Sequence, residues 1–242
     1  MKKKQVIILA AVIAVIAIGI GAYEAFNRYL GNNVEIESVM APQEETATTN
    51  GAGEASATTG ATGAAVSSDK LNGAWSIANG SKVYWSVTTS KETVNFVDEA
   101  VTGSWTVDLN EAASMAGEGV VDMTALDSGN SQRDNDVKGR DDLLAVAQYP
   151  QATFKTKSFS SVPAEWSEGT VVPLTITGIL TIKGKDKEVT FDSNAMYRDG
   201  QLLLSGKTMV TFSDFGMTNP HSVVLDTENE FTVQLELVLD KA

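Results

Sequence analysis

From Trp75 onward, bulky apolar side chains fall on alternate positions, and the runs are cut by turn residues at regular intervals, as in the half-buried strands of an all-β sandwich or barrel. Val83, Trp85 and Val87 alternate with Tyr84, Ser86 and Thr88, and Val101, Gly103, Trp105, Val107 and Leu109 alternate with polar neighbours. Leu174, Ile176, Gly178, Leu180 and Ile182 share a face, KGKDKE turns the chain into Val189 and Phe191, and Arg198-Asp199-Gly200 marks the next turn. Phe231, Val233, Leu235, Leu237 and Leu239 close the series. The pattern predicts eight or nine adjacent antiparallel strands, and because unpaired edges invite aggregation, closure into an up-and-down barrel is the expected architecture. One segment lacks alternation: Asp136–Gln148 carries Leu143, Leu144, Ala145, Val146 and Ala147 and reads as a short helix across a barrel mouth. Tyr149-Pro150 stops it, since the residue before proline is pushed out of the helical region.

The chain before the strands divides in two. Lys2, Lys3 and Lys4 precede Val6–Tyr23, an uncharged apolar run that as a helix spans roughly 27 Å, close to the thickness of a bilayer core. Residues 1–30 are therefore expected to be a signal anchor, a single transmembrane helix over about residues 6–23, with the lysines cytoplasmic and everything after Glu24 on the outer side. The alternative, a cleaved secretory signal, fits less well, because the apolar core is long and no clean small-x-small site follows it. Residues 31–70, rich in Ala, Thr, Gly and Ser, offer little to bury and are expected to form a disordered linker, leaving residues 71–242 as one folded domain.

Charge narrows the partners. The chain carries a net charge of -13, and from Leu71 onward 13 Lys+Arg stand against 24 Asp+Glu. Nucleic acid is excluded as a partner, since its affinity comes largely from cations neutralising phosphates. The absence of cysteine removes disulfides, thiolate metal sites and a cysteine nucleophile.

A search for catalytic groups finds little. His221, the single histidine, sits in the loop sequence TNPHSV, so multi-histidine metal sites are ruled out and any serine triad would depend on it. Asp134-x-Asp136-x-x-Gly139 begins like a calcium loop but places Lys138 and Ala145 where ligands are required. Asp136 is better used near the helix start. No metal, no cofactor and no catalytic residue is assigned, and a hydrolase built on His221 or the acidic cluster is the remotest reading.

Barrels of about eight strands either fill their interior or hold one small ligand. Gly103, Gly119, Gly178 and Gly206 all fall on the inward face, where missing side chains favour an open apolar lumen; the competing reading is that they relieve sheet bending. The lumen candidates are Trp85, Phe96, Trp105, Phe154, Leu180, Phe191, Leu204 and Phe212, with core packing the rival use of each.

The segment RDNDVKGRDDLLAVAQYPQATF resembles the signature of the YceI-like lipid/polyisoprenoid-binding family, through Arg133-Asp134, Tyr149-Pro150 and Thr153-Phe154. LTITGILTIKGKDKEVTF is similar to the family's following hairpin, and Ser213-Asp214-Phe215-Gly216-Met217 to its late motif. The resemblance, over about Leu71 to Ala242, implies a lipocalin-like barrel of the bacterial periplasm or cell envelope with a long isoprenoid chain in its lumen. Asn135-Asp136 departs from the histidine or similar polar residue usual after Arg-Asp, and Leu143 and Leu144 replace the family's phenylalanines, which bears on ligand identity more than on fold. Arg133 is the candidate for meeting a polar headgroup, with a structural pairing to Asp134 or Asp141 as its alternative. The expected function is non-enzymatic binding of an apolar long-chain lipid, a polyisoprenoid or isoprenoid quinone, at the outer face of the cytoplasmic membrane. The alternative is an envelope stress-response or interaction domain with a filled barrel.

Overall fold

The computed structural model describes residues 31–41, 63–220 and 226–242. His221, the expected anchor helix and the centre of the expected linker lie outside the described residues. Among the described residues, no helix is long and apolar enough to cross a membrane.

Strands dominate, as the period-two pattern requires. A two-residue strand β1 (Ala65–Val66) and one helical turn α1 (Ser68–Leu71) lead into β2 (Gly73–Ile77), β3 (Lys82–Thr89), β4 (Thr93–Asp98), β5 (Val101–Val107) and β6 (Ala116–Asp122). A helix, α2 (Ser131–Gly139), follows. Then come β7 (Gln151–Phe159), β8 (Trp166–Ser167), β9 (Val172–Ile182), β10 (Lys185–Arg198), β11 (Gln201–Thr211) and β12 (Thr227–Lys241).

Eight of these strands close the antiparallel barrel, in the order β2, β5, β6, β7, β9, β10, β11, β12 and back to β2. Closure is shared along one edge of β12: its C-terminal Leu239–Lys241 pairs with β2, while its N-terminal part pairs with β3. The β3–β4 hairpin thus extends the wall at one end, and β1 and β8 form a separate small sheet. Along β9 the burial alternates without a break, Val172, Leu174, Ile176, Gly178, Leu180 and Ile182 facing in. Period-two patterning fixes this register, because a one-residue slip would expose all six.

The interior is packed at Gly178, whereas Gly119 borders a small void. A Cβ on Gly178 would stand 2.6 Å from Cζ of Phe154, which itself meets Phe191 edge-on at 5.0 Å between ring centroids. At this position the missing side chain admits an aromatic ring, so the volume is occupied and is not open lumen.

The helix predicted over Asp136–Gln148 is displaced. The side chain of Asn130, in place of Asp136, accepts from the N–H groups of Gln132 and Arg133 and so caps α2. The helix stops at Gly139 and Arg140 is extended. Leu143–Ala147 form successive turns, with Ala145 at φ 47, because Leu143, Ala145 and Val146 are all drawn into the end of the barrel, which one continuous helix face does not allow.

The expected linker is also narrower than residues 31–70. Within residues 63–71 the chain forms β1 (65–66) and α1 (68–71), and residues 31–41 lie along the outside of the barrel. Asn32 Oδ1 accepts from the N–H of Asn95 and Asn95 Nδ2 donates to the carbonyl of Val34, which occupies the outer edge of β4. Tyr84 and Glu236 point outward yet are 1% and 0% exposed, because this segment covers them.

Candidate functional site: a cavity at one barrel mouth

The strands bring one end of the barrel into use: the end where β3, β9 and β11 finish and β4, β10 and β12 begin. A cavity of about 480 Å³ lies there, within the range of small-molecule sites. Trp85, Val87 and Phe96 form one wall, Phe212 and Phe231 another, and α2 with the following turns supplies Val137, Leu143 and Leu144. Towards the middle of the barrel lies a much smaller void of about 30 Å³, enclosed by Trp85, Trp105, Phe154, Leu180 and Phe191 among others.

The eight lumen candidates therefore separate. Trp85, Phe96 and Phe212 border the cavity, Trp85 also reaching the void below it. Trp105, Phe154, Leu180 and Phe191 fill the barrel beneath it, as does Leu204, which is buried in the core. Sequence reasoning missed the contributions of Val87, Val137, Leu144, Met217 and Phe231. Phe231, as the first inward residue of the last strand, and Val87, on the alternating face with Val83 and Trp85, carried a usable signal; the others depend on which strand ends meet, and no sequence period encodes that.

Arg133 borders the cavity, but its guanidinium is heavily committed. Nε donates to Oγ of Ser128, Nη2 to the carbonyl of Ser128 and Nη1 to the carbonyl of Gly31, each at 2.9 Å. The cation also lies over the Phe96 ring, 5.6 Å from its centroid. Asp134 faces the same serine, accepting from its N–H and Oγ, and burial raises the Asp134 pKa even though those bonds oppose the rise. Ser128, fully buried, thus ties Arg133 and Asp134 together, a relay that neither expected pairing of Arg133 included.

The rim is held by polar contacts. Lys187 pairs with Asp214 and keeps its carboxyl below the usual range; Arg140 does the same for Asp142. Lys183 Nζ donates to the carbonyl of Asp141, joining the β9–β10 turn to the turns after α2. Tyr149 packs over Gly184, where a φ of 67 favours glycine and a Cβ would lie 2.9 Å from the ring. Asp214 accepts from the N–H of Thr211, shaping the Ser213–Phe215 turn that buries Phe215 against Phe231. The Arg-Asp, Tyr-Pro and Ser-Asp-Phe-Gly pieces, far apart in sequence, therefore converge on one mouth. Among the described residues, no cluster of three or more histidines and carboxylates is placed to hold a metal ion.

The model of the YceI-like domain matches residues 75–239, which take in all but the two outermost residues at each end of the closed barrel. The chain belongs to the YceI-like family. Its barrel shares its fold with BcnA of Burkholderia cenocepacia, at 22% identity and a TM-score of 0.56 over 67% of this chain and 98% of that one. It also resembles a polyisoprenoid binding domain from Saccharophagus degradans, 14% identical with a TM-score of 0.55 over 69% and 98% of the two chains. A Campylobacter jejuni YceI protein is 20% identical, with a TM-score of 0.50 over 62% and 86%. No curated protein matches the chain. Residues 31–41, packed on the YceI-like barrel, lie outside the matched region.

Proposed function

We propose that this protein binds an apolar long-chain lipid, a polyisoprenoid or isoprenoid quinone, by inserting the end of its tail into the mouth cavity, and that it carries out no chemistry on it. The cavity of about 480 Å³, walled by aromatic and aliphatic side chains, is the observation that carries this reading. At roughly 30 Å³ per water-sized group, that space takes about three five-carbon isoprene units. With about 0.8 kcal/mol per buried CH2, three units offer a nominal transfer free energy of about 12 kcal/mol before the costs of association. The committed donors of Arg133 support a binding site governed by transfer of the tail, with little headgroup recognition. Val6–Tyr23, as a single-pass anchor, sets the site at the outer face of the cytoplasmic membrane.

The packed middle of the barrel favours the rival reading, an interaction domain without ligand, for part of its length. One experiment separates the two. Protein purified from its own membrane and extracted with organic solvent is expected to yield a prenyl lipid by mass spectrometry, and emptied protein to take up added geranylgeraniol. No extracted lipid and no uptake would sink the lipid-binding reading.

A further inference from the structure

The route of residues 31–41 gives the barrel an orientation. Gly31 sits at the mouth, where its carbonyl accepts from Arg133 of the cavity wall. The segment then passes β4 at Asn95, and Glu37 bonds Lys82 while its N–H donates to Tyr84 on β3. Further on, Ser38 and Val39 donate to the carboxylate of Glu236 on β12. Its end lies at the opposite pole of the barrel, where Arg198, at the β10–β11 turn, donates to the carbonyls of Val39 and Ala41. The chain next described, at Ala64, is bonded to Glu168, whose carboxylate accepts from Asp199 of that same turn. The low-complexity stretch between them thus leaves from and returns to the far pole; it does not connect the apolar N-terminal run to the barrel.

We propose that residues 31–41 form a strap that holds the cavity mouth against the lipid bilayer, so that a tail passes from membrane to cavity without crossing water. This rests on the lipid-binding reading above and on Val6–Tyr23 as an anchor. From Tyr23 to Gly31 the chain reaches about 28 Å at most when fully extended. The 15 residues of β12 rise roughly 50 Å, which at a barrel tilt near 40° is about 38 Å of height. With its far pole on the membrane, the barrel would lift Gly31 beyond that reach. A free 40-residue tether, by contrast, has a root-mean-square span of about 35 Å and sets no orientation. The size of the cavity points the same way: a tail longer than about three isoprene units leaves apolar length outside it, and only a bilayer at the mouth keeps that length from water.

The chain lacks cysteine, so single labels are straightforward. The full chain is reconstituted in phosphatidylcholine vesicles with a fluorophore at Glu92→Cys or Asp186→Cys near the mouth, or at Asp199→Cys on the far turn. Nitroxide-headgroup lipid is then added as quencher. Quenching at both mouth positions is expected to exceed that at position 199 at least threefold, and Glu236→Ala, which releases the middle of the strap, is expected to shrink the ratio. Equal quenching at all positions, or stronger quenching at position 199, overturns the orientation. A chain that does not float with the vesicles overturns the orientation together with the anchor. Lipid retained by the same preparations, read by mass spectrometry, reports separately: loaded protein with equal quenching sinks only the strap, and empty protein with polarised quenching sinks only lipid binding.

Discussion

Asp98 ends β4 with no exposed surface; one carboxylate oxygen accepts from the N–H of Ala100, and the other has no partner among the described residues. Burial raises its pKa from 3.8 to about 7, the proximity of Asp122 adding to the rise. Between those values the folded chain holds a proton that the unfolded chain has released, so stability falls as pH climbs through that window. The contribution of the neutral form is complete below about pH 4 and is lost by about pH 7, with an upper size of about 4 kcal/mol. Asp98→Asn keeps the acceptor for Ala100, and denaturant titrations are expected to show it gaining on the parent from pH 4 to pH 8. An unchanged difference across that range would refute the assignment. Gly178 is a second single-atom matter. A Cβ there overlaps the Phe154 ring and stands 2.5 Å from the carbonyl of Lys155, so Gly178→Ala is expected to cost about 1–3 kcal/mol in the same assay.

At the scale of elements, the strap behaves as a partial extra layer on the sheet. It protects the outer edge of β4, where Asn32 takes the N–H of Asn95, while the N–H of Val97 is taken by the carbonyl of Asp127. Its strongest attachment is Glu236, whose two oxygens accept from Ser38, Val39, Ser205 and Gln234. Truncation leaves these donors without their acceptor, and buried unsatisfied groups cost about 1–3 kcal/mol. Hydrogen exchange of Glu236→Ala is expected to show lost protection in residues 37–41 with the barrel strands β9 and β10 still protected. Uniform loss across the barrel would mean that Glu236 supports the whole fold and is not a local clasp. The displaced helix teaches the same lesson in reverse: Asn130 caps it where Asp136 was expected to, and the joint burial of Leu143, Ala145 and Val146 at the mouth is incompatible with one helix face there.

The whole molecule is a barrel with a packed middle and a hollow end. Capacity at that end is set by few side chains, so filling it is a direct test: Val87→Trp adds bulk to the cavity wall without touching the β9–β10 core pairing. Its retained prenyl lipid is expected to fall at least tenfold, measured by mass spectrometry, with the unfolding midpoint little changed. Retention at the level of the parent would place the lipid elsewhere.

Much of this was legible in the residues themselves. Strict alternation in β9 and β12 marks strands and their inner faces, because the pleat places every second side chain on one side whatever the sheet later does. The converging Arg-Asp, Tyr-Pro and Ser-Asp-Phe-Gly pieces mark the family. What alternation does not carry is where along its length a barrel is full. Trp85 and Trp105 read alike and both line the small void in mid-barrel, yet of the two Trp85 alone reaches the mouth cavity. The difference lies in which rings and strand ends meet across the lumen, and those contacts exist only after closure. The strap was hidden for a related reason: residues 31–41 bury little apolar surface and are held through backbone groups and Asn, Ser, Glu and Arg side chains, whose partners lie up to about 200 positions away. Local composition reports what a segment is able to bury, whereas only the tertiary structure decides which of its polar groups find partners.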